Sequence, residues 1–433
     1  MKKTLLTICL VWMCFSLSAQ KIIDLSGKWS FSIDRQDNGE KEKWFSHTLN
    51  DCINLPGSMP EKLKGDEVTA KTQWTGSLYD SSYYYNPYME KYRKEGNIKF
   101  PFFLTPDKHY VGAAWYQKEV NIPADWKGER ILLFLERPHI ETTVWVNGQK
   151  TGMQNSLCVP HQYDITRYVR PGKCTITIRV DNRIKEINVG PDSHSITDQT
   201  QGNWNGIVGR ICLQTTPKTY FDDIQIYPEP EQKLARVKVV IKGAGITKIK
   251  LSAESFNTDK KHIVPAIQQE IKLNKGVTET EMVLPMGNDM LLWDEFHPAL
   301  YKLKAEVTNG KKTEIKEIQF GMRRFEIKGK WFYVNGRKTQ LRGTVENCDF
   351  PLTGYAPMDV ESWERVFRIC RSYGLNHMRF HSFCPPEAAF IAADRVGFYL
   401  QPEGPSWPNH GPKLGLGQPI DKYLMDETIA LTK

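Results

Sequence analysis

Polar side chains recur at the ends of short apolar runs between Thr339 and Gly404. Arg342 closes Thr339-Gln340-Leu341-Arg342-Gly343, Arg379 and His381 close the run from Leu375 to Phe380, and Glu403 follows Phe398-Tyr399-Leu400-Gln401. A guanidinium fixes a carboxylate through bidentate hydrogen bonds and keeps its charge in any setting. Trp407 lies just beyond Glu403, and an indole offers a flat apolar face for stacking. An arginine that only closes a structural ion pair, and a tryptophan that only packs a loop, are the competing readings of the same residues.

These groups converge only if the segments between them build a parallel sheet. Asp359 suits the N-cap of a helix with Trp363, Val366, Phe367, Cys370 and Tyr373 on one face, and Gly374 supplies its stop. Pro385-Pro386 opens a second helix, Glu387 to Val396, which Gly397 ends. Two consecutive strand-helix-strand crossovers imply parallel strands with right-handed connections. In a (β/α)8 TIM barrel the site sits at the carboxyl ends of the strands, which is where these polar residues fall. With strand 1 at Thr339 to Gly343, about 95 residues remain to Lys433, whereas eight units need roughly 250. The expectation is a barrel truncated after about three strands, occupying residues 320–433.

Upstream the period changes to two. From Gly27 to about Pro217, apolar runs alternate between turn residues as in an antiparallel β-sandwich, clearest at Trp115 to Val120, Ile131 to Leu135, Thr143 to Val146 and Thr175 to Val180. Asn147-Gly148 marks a hairpin turn, since both positions tolerate positive φ. The stretch Tyr79 to Pro106, with Tyr83-Tyr84-Tyr85, breaks the rhythm as a long ordered insertion; its tyrosines are expected to be buried rather than to reach toward a site. Short strands without helix from about Thr219 to Gln319, with Val237 to Ile241 and Ile249 to Ala253 clearest, suit an immunoglobulin-like β-sandwich.

Composition bounds the function. The chain has 433 residues, 40% hydrophobic and 25% charged, as expected of a globular multidomain protein. Its net charge of +8 is scattered in short runs such as Lys41-Glu42-Lys43 and Lys260-Lys261, without the concentrated basic face that nucleic acid requires. Residues 1–19 read as a signal peptide: Lys2 and Lys3, an apolar run from Leu5 to Phe15, then Ser16-Leu17-Ser18-Ala19. No run is long enough to span a bilayer, so an exported, periplasmic or secreted protein is expected. Cys9 and Cys14 fall in that leader, and Val11-Trp12-Met13 is too bulky for lipid attachment at Cys14. The seven cysteines that remain are odd in number and lack C-x-x-C spacing, so neither a disulfide framework nor a zinc site is expected.

Several motifs together resemble glycoside hydrolase family 2, which includes β-galactosidases, β-glucuronidases and β-mannosidases. In order they are Trp145-Val146-Asn147-Gly148 with Tyr163-Asp164-Ile165-Thr166, Gly202-Asn203-Trp204-Asn205-Gly206-Ile207, and Trp293-Asp294-Glu295-Phe296-His297-Pro298-Ala299-Leu300-Tyr301. Phe320-Gly321-Met322-Arg323, Val334-Asn335-Gly336 and Leu341-Arg342-Gly343 follow. The resemblance implies a sugar-binding jelly-roll domain at 20–217, an immunoglobulin-like domain at 218–319 and the start of the catalytic barrel at 320–433. It implies an exo-acting, retaining, β-galactosidase-like hydrolase acting on an oligosaccharide or polysaccharide-derived substrate. Retention needs two carboxyl groups close enough to exclude a water between them, one as acid/base and one as nucleophile. In the family these glutamates follow strands 4 and 7, so neither is assigned within this chain, which is expected to be inactive alone.

The resemblance also implies substrate-binding roles for Arg342, Arg379, His381, Glu403 and His410; Trp407, between the last two, is a substrate-binding candidate on the chemistry of its indole, which stacks on a pyranose face or packs its loop. His381 sits one residue closer to its arginine than in the galactosidase pattern, and Val345 and Asn347 stand where galactosidases carry an asparagine and a histidine. No cofactor is implied: some relatives use Mg²⁺, but its ligands are not identifiable here. A non-catalytic carbohydrate-binding β-sandwich is the alternative.

Overall fold

The structure, a computed structural model, describes residues 20–76, 81–100, 104–409 and 411–432. The leader segment 1–19 and His410 lie outside the described residues.

The first sandwich packs two antiparallel sheets. One has the order Ile22–Asp24, Gly206–Thr216, Arg130–His139, His161–Asp164; the other runs Gln149–Asn155, Glu141–Val146, Gly172–Asp181, Ala113–Ile122, Gly27–Asp34, Asp51–Leu55. Alternation explains the layering: Ile176, Ile178 and Val180 point inward and meet Leu133, Leu135 and Ile211 of the facing sheet in one core. Asn147 and Gly148 take φ of 50° and 76° and join Glu141–Val146 to Gln149–Asn155, the turn their types demand. Of Tyr83-Tyr84-Tyr85, Tyr83 is buried as expected, against Phe100 at 4.7 Å. Tyr84 and Tyr85 of the helical turn Ser82–Tyr85 and Tyr88 of the next turn are exposed instead.

The second sandwich corrects one expectation. The two strands expected within residues 237–253 are a single strand, Leu234–Phe256, paired along its length with Ile263–Pro285. Gly243-Ala244-Gly245 is a bulge, not a turn: the register shifts there and the strand bends. One half pairs with Tyr220–Glu229 and the other with Leu300–Asn309, which pairs with Lys312–Phe320. Val237, Val239 and Ile241 share a core with Ile249, Leu251 and Leu303, so the ladder folds over itself into two layers.

A three-stranded antiparallel sheet, Phe325–Lys328, Trp331–Val334 and Arg337–Thr339, precedes a parallel sheet of Gly343–Glu346, His377–Phe380 and Tyr399–Gln401. Helices Val360–Ser372 and Glu387–Val396 make the crossovers. Asp359 accepts from Ser362 N at 2.8 Å, and Gly374 and Gly397 close the helices at φ of 80° and 76°. Trp363 and Phe367 bury against Phe380 and Phe398. Tyr373 leaves the expected apolar face: it is the C-cap, off the helical track, and is 82% exposed.

The first parallel strand also starts later than expected. Thr339 pairs with Phe332 in the antiparallel sheet, and the parallel ladder begins at Gly343 opposite His377. Three parallel strands do not close a barrel. The outer edge of Tyr399–Gln401 is unpaired among the described residues, beside an open groove of about 590 Å³ lined by Trp293, Phe325, Phe332, Phe390, Phe398 and Leu400. No described helix is long and apolar enough to cross a membrane.

The last helix, Pro419–Leu431, docks back on the first sandwich, with Ile420 and Tyr423 packed on Leu157, Cys158 and Val189. Its buried Glu427 accepts from the backbone N–H of Leu157 at 3.2 Å and of Cys158 at 3.1 Å. Glu427→Ala strands both donors away from water, where an unmet donor costs about 1–3 kcal/mol. We expect a loss of roughly 2 kcal/mol or more in urea denaturation, with faster amide exchange at 156–159; a loss under about 0.5 kcal/mol would mean water replaces the carboxylate.

Candidate functional site

Strand pairing sets which side chains meet. Arg379 stands opposite Val345 and Gln401, so these three share one side of the sheet; Glu346 and Phe380 share the other, toward the helices. Glu403, just past the third strand, is bonded on both oxygens: Arg379 Nε donates to Oε1 at 2.6 Å and Ser382 N donates to Oε2 at 2.7 Å. Burial by itself would raise the Glu403 carboxyl, but the Ser382 N–H and Arg379 outweigh it and hold the group below the ordinary glutamate value. His381 N donates to Glu346 O at 2.9 Å, which carries its ring to the carboxyl end of the sheet.

His381 lies 4.7 Å from Trp407, ring centre to ring centre. A third ring joins them that the sequence did not suggest. His194, from the first sandwich, is 4.7 Å from His381 and stacks on Trp407 at 5.7 Å and 24°. Burial, then the neighbouring His381, pushes His194 down to about 4; burial, then Arg379, lowers His381, with Glu403 opposing. Both imidazoles are therefore neutral at pH 7. Buried His194 Nδ1 has no hydrogen-bond partner.

The segment bearing His194 is pinned to the sheet. Trp407 N donates to Val189 O at 3.0 Å and Ser406 Oγ donates to the same oxygen at 3.1 Å. Gly190, at φ 101°, sits so close that a Cβ there would lie 2.0 Å from Trp407 O, so only glycine permits the approach.

Arg342 is not part of this cluster. It precedes the first parallel strand instead of ending it, so it lies at the amino end, opposite Arg379. There its Nε donates to Gly374 O at 2.7 Å and its backbone N to Asn376 Oδ1 at 2.7 Å. Glu346 holds the carboxyl end instead, its carboxylate accepting from Asp349 N at 3.1 Å and pushed up mainly by burial. The structure thus brings together Arg379, His381, Glu403 and Trp407, adds His194 and Ser382, and leaves Arg342 out. Among the described residues no cluster of three or more His, Cys, Asp or Glu side chains is arranged to hold a metal ion.

Two family models match the chain: the sugar binding domain of glycosyl hydrolases family 2 over residues 22–217, and glycosyl hydrolases family 2 over residues 219–323. The chain belongs to glycosyl hydrolase family 2. Relatives include a β-galactosidase of Thermoanaerobacter pseudethanolicus, 25% identical over 334 residues covering 73% of this chain and 42% of the relative. Human β-glucuronidase is 23% identical over 420 residues, covering 88% of this chain and 57% of that protein. This family 2 chain thus spans about half the length of the curated relatives it matches. Its fold is similar to that of a family 2 member from Bacteroides cellulosilyticus DSM 14838, with TM-score 0.67 and 19% identity over 95% of this chain and 50% of the other. Ruminococcus gnavus β-glucuronidase in complex with D-glucaro-d-lactam gives TM-score 0.65 and 19% identity over 95% of this chain and 63% of that one.

Proposed function

We propose that this chain forms the substrate-holding part of an exported, exo-acting, retaining glycoside hydrolase that takes a neutral, galactose-like sugar and needs no cofactor. In this reading residues 20–217, 218–319 and 320–433 are the jelly roll, the immunoglobulin-like sandwich and the start of a (β/α)8 barrel. The open edge beside Tyr399–Gln401 supports a sheet that continues with further strands. The basic and apolar runs of residues 1–19 support export.

Charge balance carries the choice of sugar. Arg379 is matched by Glu403, and His194 and His381 are neutral, so the cluster offers no spare cation to a uronate carboxylate. It does offer polar groups for hydroxyls and the Trp407 indole for a sugar's apolar face. β-Glucuronidases among the relatives make a uronic acid the second reading.

Calorimetry on this chain with methyl β-D-galactoside and with D-glucuronate separates the two. Binding of the galactoside alone supports the neutral sugar; binding of glucuronate alone reverses it. In a catalytically active protein that contains this chain, assayed on nitrophenyl β-glycosides, Arg379→Ala should lower kcat/KM about 100-fold, since it removes the guanidinium that balances the Glu403 charge beside the substrate. A change under threefold would remove Arg379 from the site.

A further inference from the structure

We propose that the Ser193-His194-Ser195 turn of the first sandwich is a positioning element that sets the Glu403 carboxylate through Ser382. The inference rests on reading Glu403 as a substrate-holding group.

Ser382 is the joint. It is buried, with φ of 46°, a left-handed conformation that a serine keeps only when its surroundings hold it. Its surroundings are that turn. Ser195 Oγ donates to Ser382 O at 2.7 Å, Ser193 Oγ lies 3.4 Å from the same oxygen, and His194 N donates to Ser382 Oγ at 2.9 Å. Ser193 Oγ also donates to Pro405 O at 2.6 Å, so one turn grips the exit loops of both the second and third strands. The remaining polar group of Ser382, its N–H, is the donor to Glu403 Oε2.

The consequence is mechanical. Glu403 has two anchors, and Arg379 is a long side chain, 38% exposed, that can swing with its carboxylate. The Ser382 N–H belongs to the backbone and cannot swing, so it fixes where the carboxylate lies, provided the peptide is held in its unusual conformation. Residues from a different domain do the holding. A turn that served only to glue two domains together would have no reason to converge on the one peptide whose N–H meets Glu403.

The test follows Glu403 directly. In this chain, with ¹³C at the glutamate carboxyl carbon, the Glu403 titration is identified by its loss in Glu403→Gln. In Ser193→Ala/Ser195→Ala we expect Glu403 to titrate at higher pH than in the parent, because the misaligned N–H no longer favours the charged form. Ser193→Ala/Ser195→Thr, which regains one hydroxyl, should move it back. Should the double alanine variant fail to fold, Ser382→Ala provides the same readout, since it removes the acceptor for His194 N. Galactoside binding should weaken about 5- to 10-fold in step, the worth of one hydrogen bond. An unmoved titration in a folded variant overturns the proposal even where sugar still binds. A titration that moves in the variant while the parent chain binds no sugar upholds the positioning and removes the functional reading.

Discussion

Trp293→Ala is expected to destabilise the joint between the second sandwich and the parallel sheet by about 3–5 kcal/mol, the range for deleting a buried large aromatic side chain. The residue is 3% exposed and its contacts belong to both sides. Its Nε1 donates to Asp394 O at 2.7 Å, its ring meets Tyr399 edge-on at 5.8 Å, and the Arg323 guanidinium lies 5.4 Å over it. Gly321 packs so tightly that a Cβ there would come within 2.8 Å of the Trp293 side chain. The neighbour Glu295 extends the joint: its Oε2 accepts from Asn376 Nδ2 at 2.6 Å, and its backbone oxygen from Arg371 Nη1. The motif Trp293 to Tyr301 thus docks one domain on the amino end of the next. Urea denaturation with hydrogen exchange checks this: the antiparallel ladder of Leu234–Phe256 should stay protected while 343–401 exchanges faster. Trp293→Phe, which keeps most of the burial but not the Nε1 bond, should lose about 1–2 kcal/mol. An alanine variant within about 1 kcal/mol of the parent would mean the joint lies elsewhere.

Much of this fold was legible because local chemistry decides it. Asp359 and Gly374 bracket the first helix as their types predict, Pro386 and Gly397 the second, and Asn147-Gly148 turns its hairpin. Where two local meanings compete, tertiary pairing chooses. Gly243-Ala244-Gly245 has turn chemistry, yet the partner strand Ile263–Pro285 runs past it and makes it a bulge. Thr339-Gln340-Leu341 has strand chemistry, yet Phe332 claims Thr339 for the antiparallel sheet, and that slip carries Arg342 to the far end from Arg379. That Arg379, His381 and Glu403 gather was legible because strand ends in a parallel sheet converge, but that Arg379 pairs with Glu403 was not. His194 was not. Pro191-Asp192-Ser193-His194-Ser195 reads as an ordinary turn, and its contact with Ser382 spans 188 residues, a distance across which no periodicity points.

Asp181→Asn should cost about 3 kcal/mol at pH 7, the low end for breaking a buried ion pair, and the penalty should shrink in acid. The Asp181 side chain is 0% exposed and lies among Arg179, Arg183 and Lys185, with N to O distances of 2.9, 2.6 and 2.9 Å. Arg179, itself 9% exposed, keeps Asp37 at 2.6 Å when Asp181 is neutralised, which places the cost at the low end. Burial would raise the Asp181 carboxyl, but hydrogen bonds from Arg183 and Lys185 and the charge of Arg179 hold it far below the ordinary aspartate value. A carboxyl depressed in the folded state contributes its full stability above its unfolded value, near pH 4, and loses it as pH falls toward the folded value. Urea midpoints of parent and variant should therefore differ most from pH 5 to 8 and converge below about pH 4; a gap independent of pH would assign the cost to shape instead of charge. The next residue links this network to the site. Asn182 accepts from Gly112 N at 2.9 Å and donates to Tyr110 O and Asn203 Oδ1 at 2.9 Å each, fixing both ends of the segment that carries Ser193, His194 and Ser195. Loosening Asp181 should therefore speed amide exchange at 189–197 as well as lower global stability; exchange there no faster than in the parent would break the link between this network and the site.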